Sequence, residues 1–181
     1  MRKGIMEYYD SELLGARVYP NREEVYFYGG IFSQWAECTF FSNVVQEEVN
    51  CAEQAMMLLK AMTFNDCEAY DQIKLTDDPR KQKAIGRQIQ DFDQERWDQI
   101  NYAGVISINR DKFSQNKAWN ELLLLTDPYD FIEASPYDKI WGIGMGIDNP
   151  KLLNVDKWGQ NLLGKAITRA RNEIIHTELQ P

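Results

Sequence analysis

A helix-dominated α+β domain with a small β-sheet is what this 181-residue sequence predicts, and three observations carry it. Short runs of β-branched and aromatic residues bounded by turn formers stand early, at residues 25–28, which end at Gly29-Gly30, and from Phe40 to about Val49. From Ala52 onward the apolar pattern turns helical, and one more short strand, residues 131–134, closes at Ser135-Pro136. Strands and helices therefore segregate along the chain rather than alternate as βαβ units.

The helices are expected over residues 52–62, 66–73, 79–89, 94–113, 118–125 and 159–175. Asp78-Pro79 is a start signal, with Asp78 as N-cap and proline at the first helical position. A chain that is 44% hydrophobic at this length can bury one core. No repeat, low-complexity tract or linker interrupts it, so a single domain over residues 1–181 is expected.

The charge balance narrows the partners. Twenty basic against 28 acidic residues, a net charge of -8, argues against broad binding to nucleic acid or to an anionic membrane, and leaves a local basic pocket open. Apolar runs are short, with Leu122 to Leu125 among the longest, so no segment is expected to span a bilayer. The N-terminal MRKGIMEYYD does not read as a signal peptide, and a cytoplasmic protein is expected.

The reactive inventory is narrow. Cys38, Cys51 and Cys67 have no metal-like spacing and read as buried free thiols. The one histidine, His176, lies in a polar tail, which argues against Ser–His, Cys–His and multi-histidine metal chemistry. Catalysis must then run on carboxylates, lysines, amides or backbone, with no metal and no cofactor expected.

Four segments stand out. In CAEQAMMLLKAM, residues 51–62, apolar side chains fall all around the axis, the mark of a buried helix. Glu53 and Lys60 share one stripe there, two turns apart with Met57 between them, and such charges must be bonded within the core or line a pocket. In PRKQKAIGRQI, Arg80, Lys83 and Arg87 occupy one face and Ile85 and Ile89 the other, which alone reads as a solvated basic face. Gly86 within it costs about 1 kcal/mol against alanine and marks close approach of a ligand or another backbone. Asn109, Lys112, Phe113 and Asn116 share a further face, which alone reads as an exposed face or a helix end. Finally, EASPYDKIWGIGMG sets Gly142, Gly144 and Gly146 at alternate positions after Trp141. They serve either a ligand approaching the backbone or a tight turn.

The ordered set FYGGIFSQW, CAEQAMMLLKA, DDPRKQKAIGR, WDQINYAGVISINRDKFSQN, LLLLTDPYDFIEASPYDKIWGIG and WGQNLLGKAITRAR resembles the YbiA-like, or NADAR, family from about Tyr26 to Arg171. The pairing of D-K-I-W-G-I-G with W-G-Q-N-L-L-G is the most specific part. The resemblance implies a small helix-rich α+β domain that cleaves N-glycosidic bonds of ribosides. Family activities include hydrolysis of phosphoribosylamino-pyrimidine intermediates of riboflavin synthesis and, in other branches, removal of ADP-ribose from guanine bases.

Carried over by position, the family's helix glutamate looks like Glu53, its helix lysine like Lys60, and the lysine ahead of its G-R like Lys83, followed by Arg87. The aspartate and tryptophan of its D-x-I-W-G-I-G loop look like Asp138 and Trp141. Two positions depart: Ser33-Gln34-Trp35 stands for the usual S-N-F, and Gln54 for the histidine after the glutamate. The implied catalytic set is Glu53, Lys83 and Asp138, with carboxylates supporting an oxocarbenium-like centre and activating water, or with Lys83 attacking the anomeric carbon. Arg87 and Lys112 suit a phosphate, Trp141 a base, Gly142 a close-lying ribose or phosphate, and Lys60 and Trp35 complete the substrate-binding set. The expected ligand is a small phosphorylated riboside or an ADP-ribose-type molecule, with nucleic acid entering only as an ADP-ribosylated substrate. Catalysis stands against two alternatives, an ADP-ribosyl-guanine hydrolase and a non-catalytic ADP-ribose or nucleotide module. Two carboxylates favour the enzyme, because a reader of an anionic ligand gains little from them.

Overall fold

A computed structural model describes residues 14–178, so the N-terminal stretch MRKGIMEYYD read above lies outside the described residues. The fold is α+β and mostly helical, with the elements ordered β1 (Ala16–Tyr19), β2 (Glu24–Phe27), β3 (Phe40–Ser42), β4 (Glu47–Val49), α1 (Ala52–Thr63), α2 (Cys67–Lys74), α3 (Pro79–Gly86), α4 (Gln94–Ser114), α5 (Lys117–Leu124), β5 (Asp130–Glu133) and α6 (Leu162–Glu178). The described residues divide into two compact units, one made of residues 14–33 with 117–178 and the other of Gln34–Asn116.

The first unit is built on a three-stranded sheet in the order β1-β2-β5. β1 pairs antiparallel with β2, and β2 pairs parallel with β5, Tyr26 opposite Ile132. As the middle strand, β2 buries Val25, Tyr26 and Phe27 completely, which its unbroken apolar run requires. Tyr26, Ile132, Ala134, Ile143 and Leu152 form a core cluster, edged by Tyr19 and Trp158, whose rings meet Tyr26 at 4.9 and 5.9 Å. Before β5, the fully buried Arg171 of α6 pins the turn by donating from Nη1 to Thr126 Oγ1 at 2.9 Å and to the Tyr129 carbonyl at 2.5 Å.

The two most specific sequence motifs meet in this unit, backbone to backbone. The N–H groups of Gly159, Gln160, Asn161, Leu162 and Leu163 donate to the carbonyls of Ile143, Lys139, Gly142, Ile140 and Trp141. The buried Asn161 then closes the free edge of β5, its Oδ1 accepting from Glu133 N and its Nδ2 donating to the Phe131 carbonyl, both at 2.9 Å. This lacing is why α6 begins at Leu162, although periodicity alone predicts a helix from Gly159.

The second unit is organised around α1. Ten of its twelve residues are buried, as its all-round apolar pattern predicts, and it packs against α2, α3 and α4. Cys51 caps it, Sγ accepting from Gln54 N at 3.4 Å. Asp78 and Pro79 start α3 as read from sequence. That helix ends at Gly86 rather than Ile89, because the Gly86 carbonyl accepts from Lys60 and the Gln90 N–H donates to Asp66. Residues 40–49, read as one strand, form a hairpin instead, β3 antiparallel to β4. Gln46 holds a positive φ in its turn, and Asp111 of α4 accepts from both Asn43 N and Nδ2 at 2.8 and 2.9 Å.

No helix among the described residues is long and apolar enough to cross a membrane. The cysteines depart in part from expectation: Cys38 and Cys51 are buried free thiols, but Cys67 is exposed because it opens α2 on its outer side. His176 lies in the last turn of α6, exposed.

Replacing Asn161 with alanine removes two buried hydrogen bonds and places a Cβ residue without local polar support at a φ of 54°. A loss of about 2–4 kcal/mol in unfolding free energy is expected, measured by urea denaturation. A loss below about 1 kcal/mol would show that this side chain does not close the sheet edge.

Candidate active site

In the second unit, Glu53 and Lys83 converge on Trp35. Glu53 sits in the first turn of α1, where a carboxylate is favoured by the helix N-terminus, and it is only 3% exposed. Its backbone N–H donates to the Gln34 carbonyl at 2.9 Å, and its Oε2 accepts from Trp35 Nε1 at 3.2 Å. Trp35 itself is 38% exposed, so the indole joins a buried carboxylate to the surface. The same ring is faced by Lys83 Nζ at 5.9 Å and by the Arg80 guanidinium at 6.0 Å from its centroid. A carboxylate, an aromatic face and two cations thus share one neighbourhood, a set suited to a flat ring that carries an anionic group.

Arg80 is the functional candidate that sequence reading underweighted. The Asp78-Pro79 start fixes the register of α3, and within it Arg80 and Lys83, three apart, share a face. Behind them Gln82 is fully buried and saturated, donating to the Asn50 side chain at 3.0 Å and the Thr76 carbonyl at 2.7 Å and accepting from Cys51 Sγ at 3.2 Å. Burial pushes the Cys51 thiol up to about 11, so it stays protonated as the donor in that contact. Arg87, one turn beyond Lys83, is exposed at the end of α3.

Lys60 and Lys112 are engaged within the protein. Lys60 Nζ donates to the Gly86 carbonyl at 2.7 Å and lies 4.1 Å from the Phe92 ring centroid, while burial and then the nearby Arg87 charge hold it below the usual lysine range. Of the two readings open for the α1 stripe, Lys60 therefore takes the core-bonded one, and Glu53 turns to Trp35. Gly86 answers to packing: a Cβ there would stand 2.1 Å from Met57 Sδ, so the close approach is that of α1. Lys112, on a face expected to be exposed if read alone, is fully buried with Asn109 and Phe113. Burial depresses it to about 8, partly opposed by Cys38 and Cys51. Gln54, where the family motif carries histidine, ties the start of α1 to the end of α2 by accepting from Asn50 N at 2.8 Å and donating to the Ile73 carbonyl at 3.2 Å.

Asp138, Trp141 and Gly142 belong to the other unit. Asp138 Oδ1 accepts from the N–H groups of Ile140 and Trp141, both at 2.8 Å, so this carboxylate shapes its own loop. The glycine spacing is accounted for there. A Cβ on Gly142 would meet Ser135 Cβ at 2.8 Å and the Glu133 carbonyl at 2.9 Å, and Gly144 holds a φ of +71°. Only Gly146 has room for a side chain, its nearest neighbour being Pro136 Cβ at 3.7 Å. An open groove of about 480 Å³ also lies in this unit, lined by Glu24, Asn161, Thr168 and Arg169 among others, but by none of the site residues named from sequence. Several of its polar groups are committed within the protein: Glu24 to Arg22 and Tyr26, Thr168 to Phe131 N, and Arg169 to Glu173 at 2.9 Å. The Trp35 cluster is the better candidate on chemistry.

The profile of the NADAR domain matches residues 23–175. The chain belongs to the NADAR domain family. N-glycosidase R617 of Acanthamoeba polyphaga mimivirus is 39% identical to this NADAR chain over 147 residues, covering 79% of it and 86% of that protein. Protein irg-1 of Caenorhabditis elegans is 32% identical over 127 residues, 68% of this chain and 60% of that protein. Riboflavin biosynthesis protein VVA0006 of Vibrio vulnificus is 23% identical over 152 residues, 84% of this chain but 39% of that protein. This NADAR chain thus spans less than two thirds of the length of these last two. The NMR structure of the E. coli protein YbiA is similar in fold, with a TM-score of 0.69 at 21% identity, covering 87% of this chain and 88% of that one.

Lys112 gives the second unit a pH signature. Unfolded, a lysine titrates near 10.4, and folded this one titrates at about 8. Between those values the unfolded chain binds more protons, so stability rises with pH across that window, and the burial penalty is in full force below it. Against Lys112→Met, the natural protein should therefore gain about 2–3 kcal/mol in unfolding free energy between about pH 7 and pH 10, measured by urea titration at each pH. A difference that stays flat with pH would place the ammonium in a well-solvated setting.

Proposed function

We propose that this chain is an N-glycosidase that hydrolyses the ribosyl C–N bond of small phosphorylated aminopyrimidine ribosides, such as intermediates of riboflavin synthesis. The observation that carries the reading is the Trp35 indole hydrogen-bonded to the buried Glu53 carboxylate at one end and faced by Lys83 and Arg80. The names of the mimivirus N-glycosidase and the Vibrio riboflavin biosynthesis protein support the reaction class and the substrate class respectively.

The chemistry follows from these groups. As the C1′–N bond lengthens, its electron pair leaves with the base and positive charge grows on the ribose, where a carboxylate held in a poorly solvated setting stabilises it most. Water then adds its oxygen to C1′, and its proton passes through Glu53 to the departing base. The face of Trp35 supports a flat base or the cationic sugar, and Arg80 with Arg87 supplies guanidinium donors for the phosphate. Lys83 adds a covalent route: its amine attacks C1′ as the ammonium proton passes to the departing base, the sugar ring opens to a Schiff base, and water releases the ribose phosphate and restores the amine.

Two variants test the roles. Glu53→Gln keeps an acceptor for Trp35 but removes the charge, so turnover of a phosphorylated aminopyrimidine riboside, followed as released base by mass spectrometry, should fall by about 10²–10³-fold while the unfolding midpoint holds. Near-natural turnover in the folded variant would remove Glu53 from the chemistry. Borohydride added during turnover should trap ribose phosphate on the peptide containing Lys83, and Lys83→Ala should abolish trapping without unfolding the protein. No adduct, together with normal turnover in Lys83→Ala, would leave water and the carboxylate as the whole mechanism.

A further inference from the structure

Three glutamines are buried among the described residues, Gln34, Gln54 and Gln82, and they are treated very differently. Gln54 and Gln82 use both ends of their carboxamides, Gln54 with backbone partners and Gln82 with two side chains and one carbonyl. Gln34 is 9% exposed, and both Oε1 and Nε2 are buried without a hydrogen-bond partner among the described residues. Ser42 and Asn109 each leave one such atom, whereas Gln34 leaves both ends of one group. A buried amide that has given up water without gaining partners is unfavourable, so a chain that retains one has a use for it.

Its position says which use. The Gln34 carbonyl accepts the N–H of Glu53, and the next residue along the chain is Trp35, whose indole donates to the Glu53 carboxylate. The idle carboxamide is therefore rooted at the same turn as the carboxylate and one peptide from the aromatic face. A carboxamide presents an acceptor and a donor side by side, and its natural complement is a flat edge that carries a donor next to an acceptor. Phosphate and ribose hydroxyls offer no such planar pair.

We infer that the Gln34 carboxamide reads the base of the substrate, pairing in two hydrogen bonds with the adjacent ring N–H and carbonyl of a 2-aminopyrimidin-4-one edge. This pattern is shared by aminopyrimidinones and guanine. The inference deepens the N-glycosidase reading and rests on the same site. It makes Gln34 a specificity residue, one that governs which base is accepted and leaves bond cleavage to other groups.

The test uses the full chain, with 2,4-diamino-6-hydroxypyrimidine as probe and 4,6-dimethylpyrimidine as the control lacking the edge. In Gln34→Leu and in Gln34→Met, the second variant covering a poor fit of the branched side chain, removing an unsatisfied buried amide should raise the melting temperature by about 2–4 °C. The same variants should bind the probe about 10–100-fold more weakly by calorimetry, with binding of the control unchanged. With a cleavable aminopyrimidine riboside, KM should rise by a similar factor and kcat should change much less. Unchanged probe affinity in either folded variant, no probe binding by the natural protein, or a lowered melting temperature in both variants would overturn the inference. Probe binding that depends on Gln34, in a protein that cleaves no riboside, would uphold base reading and overturn the N-glycosidase assignment alone.

Discussion

The burial of α1 on every side is the constraint from which its unit follows. A helix with no solvated face has no inexpensive place for charge, yet this one carries Glu53 and Lys60. Each is met by a group beside α3: Lys60 by the Gly86 carbonyl, Glu53 by the indole that Lys83 and Arg80 face. Between them Met57 packs where Gly86 has no side chain. Polar bonding at one end, close packing in the middle and a carboxylate–indole contact at the other fix α3 against α1. The cations of α3 are held in place by the same contacts that make α1 tolerable as a core helix.

Much of this was legible in the sequence because it follows from local chemistry. The all-round apolar pattern of residues 52–62 located α1 to within one residue, and Asp78-Pro79 located the start of α3. What could not be read depends on partners distant in sequence. The end of α3 is set by Lys60 and Asp66, the hairpin in residues 40–49 is held by Asp111 and contains no glycine or proline to announce it, and β1 carries a mixed burial pattern with no clean alternation.

The candidate site was legible to a different degree. Spacing put Glu53 on a buried stripe and the family resemblance put Lys83 forward, but nothing in the spacing shows that Trp35 joins them, because that contact crosses from a loop to two helices. Nor does periodicity distinguish a lysine that faces solvent from one such as Lys112, sealed inside the unit, since the same face of α4 would serve for either. Gln34 is the sharper case: its identity suggests only a polar residue, and its meaning emerges when both of its polar atoms prove idle while the other two buried glutamines are bonded at both ends.

The loop around Trp141 has a frame made almost entirely of main chain. Its bonds run from the backbone of residues 159–163 to the carbonyls of residues 139–143, and the one side chain that shapes it, Asp138, also acts on main-chain N–H groups. Tyr137 and Ile140, by contrast, are 90% and 51% exposed. A frame of this kind separates inheritance of shape from inheritance of chemistry: outward residues are free to drift under selection while the ring of amides beneath them keeps the same curve.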